Sequence, residues 1–148
     1  MKTFILVAVH LALSGPLSFA NDAHDTLKVL LGKSDSVVLG SIVTHPMGIV
    51  FSDVSYLCDF RIEKVLKGDA KLKSKTIKVS IERIEFGNQE RHPLVKEGSR
   101  CILFLGVEDQ KTKVRSTADY WFGIQHPSEA LEDAIRVSVD QTRPNKSE

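Results

Sequence analysis

The sequence predicts a mainly β fold, a small closed barrel of about five strands with a short N-terminal helix and a C-terminal helix. The first observation is the stretch Val54–Gly68. Val54, Tyr56, Cys58, Phe60 and Ile62 alternate there with Ser55, Leu57, Asp59, Arg61 and Glu63. Successive strand side chains point to opposite faces, so this is a long half-buried strand with one apolar side. The second is Gly40, in the middle of the β-branched run Val37–Val43. A glycine inside a strand marks a bulge or tight bend of the kind barrel corners require. The third is the wealth of Val and Ile in every strand, which favours closure because a closed barrel leaves no exposed edge.

The elements follow in chain order. Met1-Lys2-Thr3 precedes an apolar run from Phe4 to Leu13, broken only by His10, and the segment ends Ser18-Phe19-Ala20. A basic start, a short apolar run and small residues three and one before the cut describe a secretory signal peptide over 1–20, cleaved after Ala20. A spanning helix would need roughly 20 apolar residues, and Gly15-Pro16 end the run earlier. The expected location is secreted or periplasmic, with no stable membrane insertion once the signal is removed.

Removing residues 1–20 of 148 leaves 128, enough for one domain with a modest core, expected over 21–141. The mature chain then carries 19 basic and 19 acidic residues. A neutral chain has no electrostatic drive toward nucleic acid or an acidic membrane face unless its charges are segregated in space.

Asn21–Gly32 reads as a short helix with Thr26, Leu27, Val29, Leu30 and Leu31 on its apolar side. After the Val37–Val43 strand, His45-Pro46-Met47-Gly48 reads as a turn. The long strand follows and stops at Lys67-Gly68-Asp69. In Lys75–Phe86, Ile77, Val79 and Ile81 alternate, and Ile84 and Phe86 continue out of phase, as a β-bulge would produce. Gly87–Ser99 has no helical stripe and reads as a loop. Cys101–Val107 is apolar on both faces and is expected to be the most buried strand, and Lys113–Thr117 is a weaker returning strand. Tyr120-Trp121-Phe122 is the densest aromatic cluster. Ser128 is a good N-cap for a helix through Val139, whose apolar face is Leu131, Ala134 and Ile135. Residues 142–148 are polar, contain Pro144 and are expected to form a disordered tail.

Once the strands are placed, three phrases carry a resemblance: Ser36–Val43, Phe60–Gly68 ending in VLKG, and Glu97-Gly98 before Cys101–Leu105. They resemble secreted bacterial OB-type barrels, related in fold to the netrin-like domain of tissue inhibitors of metalloproteinases. The resemblance covers roughly residues 34–107, and its motifs are short structural phrases. It implies a five-stranded Greek-key barrel with a binding role. Inhibitors of that family chelate zinc through an N-terminal cysteine, whereas this mature chain begins at Asn21, so that chemistry does not carry over. OB barrels also commonly place a helix between their third and fourth strands, where this chain has Gly87–Ser99.

The four mature histidines, His24, His45, His92 and His126, have no His or Cys partner at zinc spacing. No HExxH, CxxC, GxSxG or glycine-rich phosphate loop occurs, and no cofactor is expected. His24 stands fourth after cleavage at Ala20, which spoils a square-planar Cu(II) chelate with the free amine. Asn145-Lys146-Ser147 is a formal glycosylation sequon. Export makes a Cys58–Cys101 disulfide chemically allowed. In an OB-type strand order their strands are not neighbours, which favours two buried thiols.

Three functions compete. The first is an exported binding module for a protein or polysaccharide, using Trp121 and Tyr120 with His126. Trp121 is either outward on a partner surface or buried between its neighbours. The second is a small hydrolase or metal enzyme assembled from dispersed residues such as His92, Glu90 and Asp119. The third is single-strand nucleic-acid binding, which needs stacking aromatics in a basic groove. Tyr56 and Phe60 lie on the face expected to be buried, so no nucleic-acid partner is expected.

Overall fold

The computed structural model describes residues 20–50, 54–83 and 92–142. Helix α1 (Ala20–Lys33) leads into β1 (Ser36–Ile42), a short β2 (Met47–Val50) and the long β3 (Val54–Lys67). A single 3-10 turn at Ala70–Leu72 precedes β4 (Thr76–Arg83). Then come β5 (Arg100–Glu108), β6 (Val114–Thr117), β7 (Ile124–Gln125) and α2 (Glu129–Thr142). The segment 1–20 expected to be a signal peptide, the out-of-phase residues Ile84 and Phe86, Glu90 and the sequon lie outside the described residues, except for Ala20.

Five strands close a barrel in the order β1-β3-β4-β6-β5, with β5 returning to β1. All pairings are antiparallel except β4–β6, which is parallel and sets Lys78 opposite Val114. This arrangement is compatible with an OB-type barrel. β1 has both edges occupied, Gly40 facing Ile62 of β3 on one side and Cys101 of β5 on the other. Its ladder with β3 shifts register between Val37 and Val38 and again between Leu39 and Gly40. The second shift falls at the glycine expected to bend the strand. A Cβ at Gly40 would stand 2.1 Å from the Arg61 carbonyl oxygen and 2.8 Å from the Phe60 ring, so no side chain fits there.

Two apolar layers result. Tyr56, Cys58, Phe60 and Ile62 of β3 meet Val79, Ile81, Cys101, Leu103 and Leu105 inside the barrel. The opposite face of β1 and β5 (Val37, Leu39, Ile102 and Phe104) packs outward under Leu27, Leu30 and Leu31 of α1 and Leu131, Ala134 and Ile135 of α2. β5 is therefore apolar on both sides because each side has a core of its own. Both helices pack on this outer wall. Ser128 caps α2 by accepting the Leu131 amide at 3.1 Å. Lys67 at the end of β3 caps α1, donating from Nζ to the Leu31 carbonyl at 2.6 Å and to that of Ser34. Arg115 of β6 donates to Asp35 at 2.7 Å and clamps the entry to β1.

Several sequence expectations need correction. Met47 and Gly48, read as part of a turn, begin β2, which pairs with the first residues of β3 from Met47↔Leu57 to Val50↔Val54. Pro46 sits just before the strand, where its missing amide costs no ladder bond. Val107 shares the apolar phase of β5 yet is 75% exposed, because the β5–β6 register shifts between Leu105 and Glu108. On the polar face of β3, where the alternation predicts exposure of Ser55, Asp59, Arg61 and Glu63, Ser55 and Asp59 are half-buried, while Arg61 and Glu63 are exposed. Thr142, assigned to the tail, is the last residue of α2 and donates to the Val139 carbonyl at 2.8 Å. Residues 143–148 lie outside the described residues.

The two faces of β3 should differ sharply in energetic weight. Phe60 is fully buried and among the largest side chains of the barrel interior, so Phe60→Ala should lower stability by about 3–5 kcal/mol. Asp59 has only a partly exposed ion pair to Lys78 at 3.3 Å, so Asp59→Ala should cost about 0–1 kcal/mol. Denaturant midpoints of the two variants check this, and equal midpoints would mean that the faces are reversed.

Candidate functional site

The aromatic cluster lies on a turn between β6 and β7. Asp119 begins it, and its Oδ1 accepts the backbone amides of Trp121 at 2.8 Å and Phe122 at 3.0 Å. Asp119 also accepts the Gly123 amide through its carbonyl oxygen at 3.1 Å, and Gly123 in turn accepts the Phe104 amide at 2.9 Å. The turn is thereby fastened to the central strand β5. A Cβ at Gly123 would meet the Asp119 carbonyl oxygen at 2.4 Å and Thr117 Cβ at 2.6 Å, so the tight return requires glycine.

This geometry settles the packing of the three rings. Phe122 is half-buried against the outer core, whereas Tyr120 is 40% and Trp121 49% exposed. An extended segment would have sent Tyr120 and Phe122 to the same side. The turn instead brings Tyr120 and Trp121 out together. His126 stands exposed just past β7, its ring centroid 6.2 Å from that of His92.

The same turn forms one wall of an open cleft of about 430 Å³, within the range of small-ligand pockets. Asp119 and Phe122 line this wall, and Asp25, Thr26, Val29 and Lys33 of α1 line the other. Their spacing places them on one face of the helix. Lys33 pairs with Asp119 across the cleft at 3.5 Å. Val29, apolar and 57% exposed, belongs to this face rather than to the core side of α1. Polar groups on both walls over an apolar floor, beside two outward aromatic rings, suit adsorption of a ligand.

Two residues of the enzymatic alternative, Asp119 and His92, have visible structural roles. Asp119 is bound to two amides and faces Lys33, which makes it a turn-building carboxylate. His92 accepts the Leu94 amide at Nδ1, 3.2 Å away. Glu90 lies outside the described residues. Among the described residues no group of three or more His, Cys, Asp or Glu is placed to hold a metal ion.

Cys58 and Cys101 are both free thiols in the barrel interior. Their strands, β3 and β5, are separated by β1. Burial pushes the Cys58 thiol from 9.0 up to about 12, with a smaller contribution from Asp59. Burial likewise pushes Cys101 up to about 12, and Cys58 adds to it. Elsewhere, hydrogen bonding from Arg100, at 2.8 Å, holds the Glu63 carboxyl below its usual range, with help from Ser41.

Sequence reading found the aromatic cluster but missed the cleft. Its α1 wall combines Asp25 and Lys33 with Thr26 and Val29, which the sequence reading places on the apolar side of the helix. Only the packing of α1 beside β6 and β7 assigns them a neighbour.

Asp119→Ala should cost about 1–2 kcal/mol, because two amides lose their acceptor. Asp119→Asn, which keeps one acceptor oxygen and loses the exposed ion pair, should cost less than half as much. Thermal midpoints compare the two, and a silent Asp119→Ala would show that the turn holds without its carboxylate. The thiols generate a pH effect. Each binds its proton more tightly folded than unfolded, so the unfolded state carries fewer protons above pH 9.0 and stability falls from there toward about pH 12. The Cys58→Val/Cys101→Val variant should show a shallower decline in urea midpoint between these limits. Parallel curves would place the thiols in contact with water.

No protein-family model matches this chain, and no curated protein matches it.

Proposed function

We propose that this chain is an exported β-barrel binding module that captures a protein or polysaccharide partner at the Trp121 turn and the adjoining cleft. The single observation that carries the reading is the presentation of Trp121 and Tyr120, two large rings held outward on a turn that Asp119 and Gly123 fasten to β5. Exposing both rings costs hydrophobic stabilisation that folding inward would recover. Rigid, outward Trp and Tyr side chains supply contact area at low entropic cost, which is why binding surfaces favour them. Asp25, Thr26 and Lys33 add hydrogen-bonding groups on the opposite wall. His126 stays in the proposal as a neighbouring exposed ring beyond β7. The reading agrees with the resemblance to secreted OB-type barrels of netrin-like fold, and with the signal peptide expected over 1–20.

Trp121 is the only tryptophan of the chain, so its fluorescence reports on this site alone. Titration with panels of soluble oligosaccharides and peptides should give a saturable blue shift with at least one class. Trp121→Ala should abolish capture of that ligand when the protein is immobilised, while its melting temperature stays within a few degrees of the parent. A large loss of melting temperature would make Trp121 a packing residue and end the assignment. An unshifted emission across both panels would do the same.

A further inference from the structure

The neutral charge of the mature sequence conceals a strong segregation. Between residues 61 and 78 the chain carries seven basic residues and two acidic ones, Glu63 and Asp69. The rest of the mature chain therefore carries an excess of five acidic residues. All eighteen positions belong to the end of one hairpin, comprising the last residues of β3, the 3-10 turn and the start of β4.

Two of the seven cations have partners outside the hairpin end. Lys64 pairs with Glu132 of α2 at 2.7 Å, and Lys67 caps α1. Arg61, Lys71, Lys73 and Lys75 are exposed and face no carboxylate among the described residues. Lys78 is exposed beside them, in a loose pair with the partly covered Asp59. Register makes these cations neighbours. Arg61 lies opposite Thr76 and Asp59 opposite Lys78, so Arg61 and Lys78 share the outer face on a cross-strand diagonal. The Lys75 and Ser74 backbones bond to Ile62, which sets the lysine-bearing turn against the same strand end.

We propose that this hairpin end is an electrostatic docking surface for an anionic lipid bilayer. Clustered lysines near a bilayer of negative surface potential each contribute about a fivefold increase in binding. Four unneutralised cations and a weakly paired fifth are enough for reversible adsorption. Three features favour lipid headgroups over a nucleic acid or another linear polyanion. The segment 61–78 contains no aromatic residue, so bases have nothing to stack on. The cations crown the closed end of a hairpin, which meets a flat field of headgroups, whereas a single strand is tracked by a groove. Six of the seven are lysines, compact point charges, where bidentate recognition of phosphates on one strand favours arginine. The apolar side chains of the turn do not reach outward, since Leu72 and Ile77 pack on the barrel core. Adsorption is therefore a surface event without insertion. None of these residues lines the Trp121 cleft, so the proposal stands independently of the partner site.

The test is co-sedimentation of the full mature chain with phosphatidylcholine vesicles, with and without phosphatidylglycerol. Binding should require phosphatidylglycerol and should be released as salt rises from about 0.1 M to about 1 M, where the Debye length falls from about 10 Å to about 3 Å. The triple variant Lys71→Gln/Lys73→Gln/Lys75→Gln should bind roughly a hundredfold more weakly. A charge-matched variant, Lys28→Gln/Lys96→Gln/Arg136→Gln, removes exposed cations elsewhere and should retain binding within a few-fold. Circular dichroism should show both variants folded. If they do not fold, salt release of the wild-type chain and protection of the hairpin lysines from acetylation by vesicles take their place. Equal binding to pure phosphatidylcholine, or equal loss in both variants, would overturn the proposal. So would tighter, patch-dependent binding to a soluble sulfated polysaccharide or an oligonucleotide, which would name a polymer as the occupant.

Discussion

Barrel closure through β1 is the constraint on which the remainder of this structure depends. One strand must hydrogen-bond to β3 along one edge and to β5 along the other, while the strands curve far enough for β4 and β6 to meet in parallel. A flat strand cannot satisfy both ladders. β1 does so by shifting register twice against β3 and by bringing its backbone at Gly40 against Arg61 so closely that only a hydrogen fits. The residue types on either side follow from this. Val38 faces the barrel interior, and Val37 and Leu39 face the helices, so the strand serves two cores at once.

The outer core explains why the aromatic turn is where it is. α1 and α2 cover the outer face of β1 and β5, and their packing leaves α1 running beside the β6–β7 connection. The cap supplied by Lys67 ends α1 at that place, because it ties the last carbonyls of the helix to the end of β3. The cleft is thus a seam between a helix fixed by its C-terminus and a turn fixed to β5. Both walls are anchored to the same sheet, which is the condition for a preformed site.

Charge follows topology in the same way. The β3–β4 connection is the one place where the hairpin carries seven cations within eighteen residues, and only Lys64 and Lys67 find structural partners across the molecule. The others remain solvated at the hairpin end. Elsewhere, ion pairs such as Arg115–Asp35 and Lys33–Asp119 join separate segments of the chain. The proposed partner cleft and the proposed lipid-facing end therefore differ in chemistry. The first presents aromatic rings on a rigid turn, and the second presents dispersed positive charge.

Local sequence determined the alternation of β3, the break at Gly40, the two-sided burial of β5 and the capped apolar face of α2. Each is set by a period or a backbone requirement that acts over a few residues. The mainly β class and the closed form were legible for that reason. The paired edges of β1, the extra strands β2 and β7 and the exposure of Val107 were decided by tertiary structure alone, since register between distant strands leaves no mark on either strand by itself. The Trp121 turn shows the division most clearly. Three consecutive aromatics announced a feature, but which rings faced outward depended on Asp119 bonding two amides and on Gly123 fitting against Thr117. The gathering of lysines was likewise present in the sequence, hidden by a net charge of only +1. Only the hairpin, by holding Arg61 beside Lys78 and the turn lysines at one end, converted it into a surface.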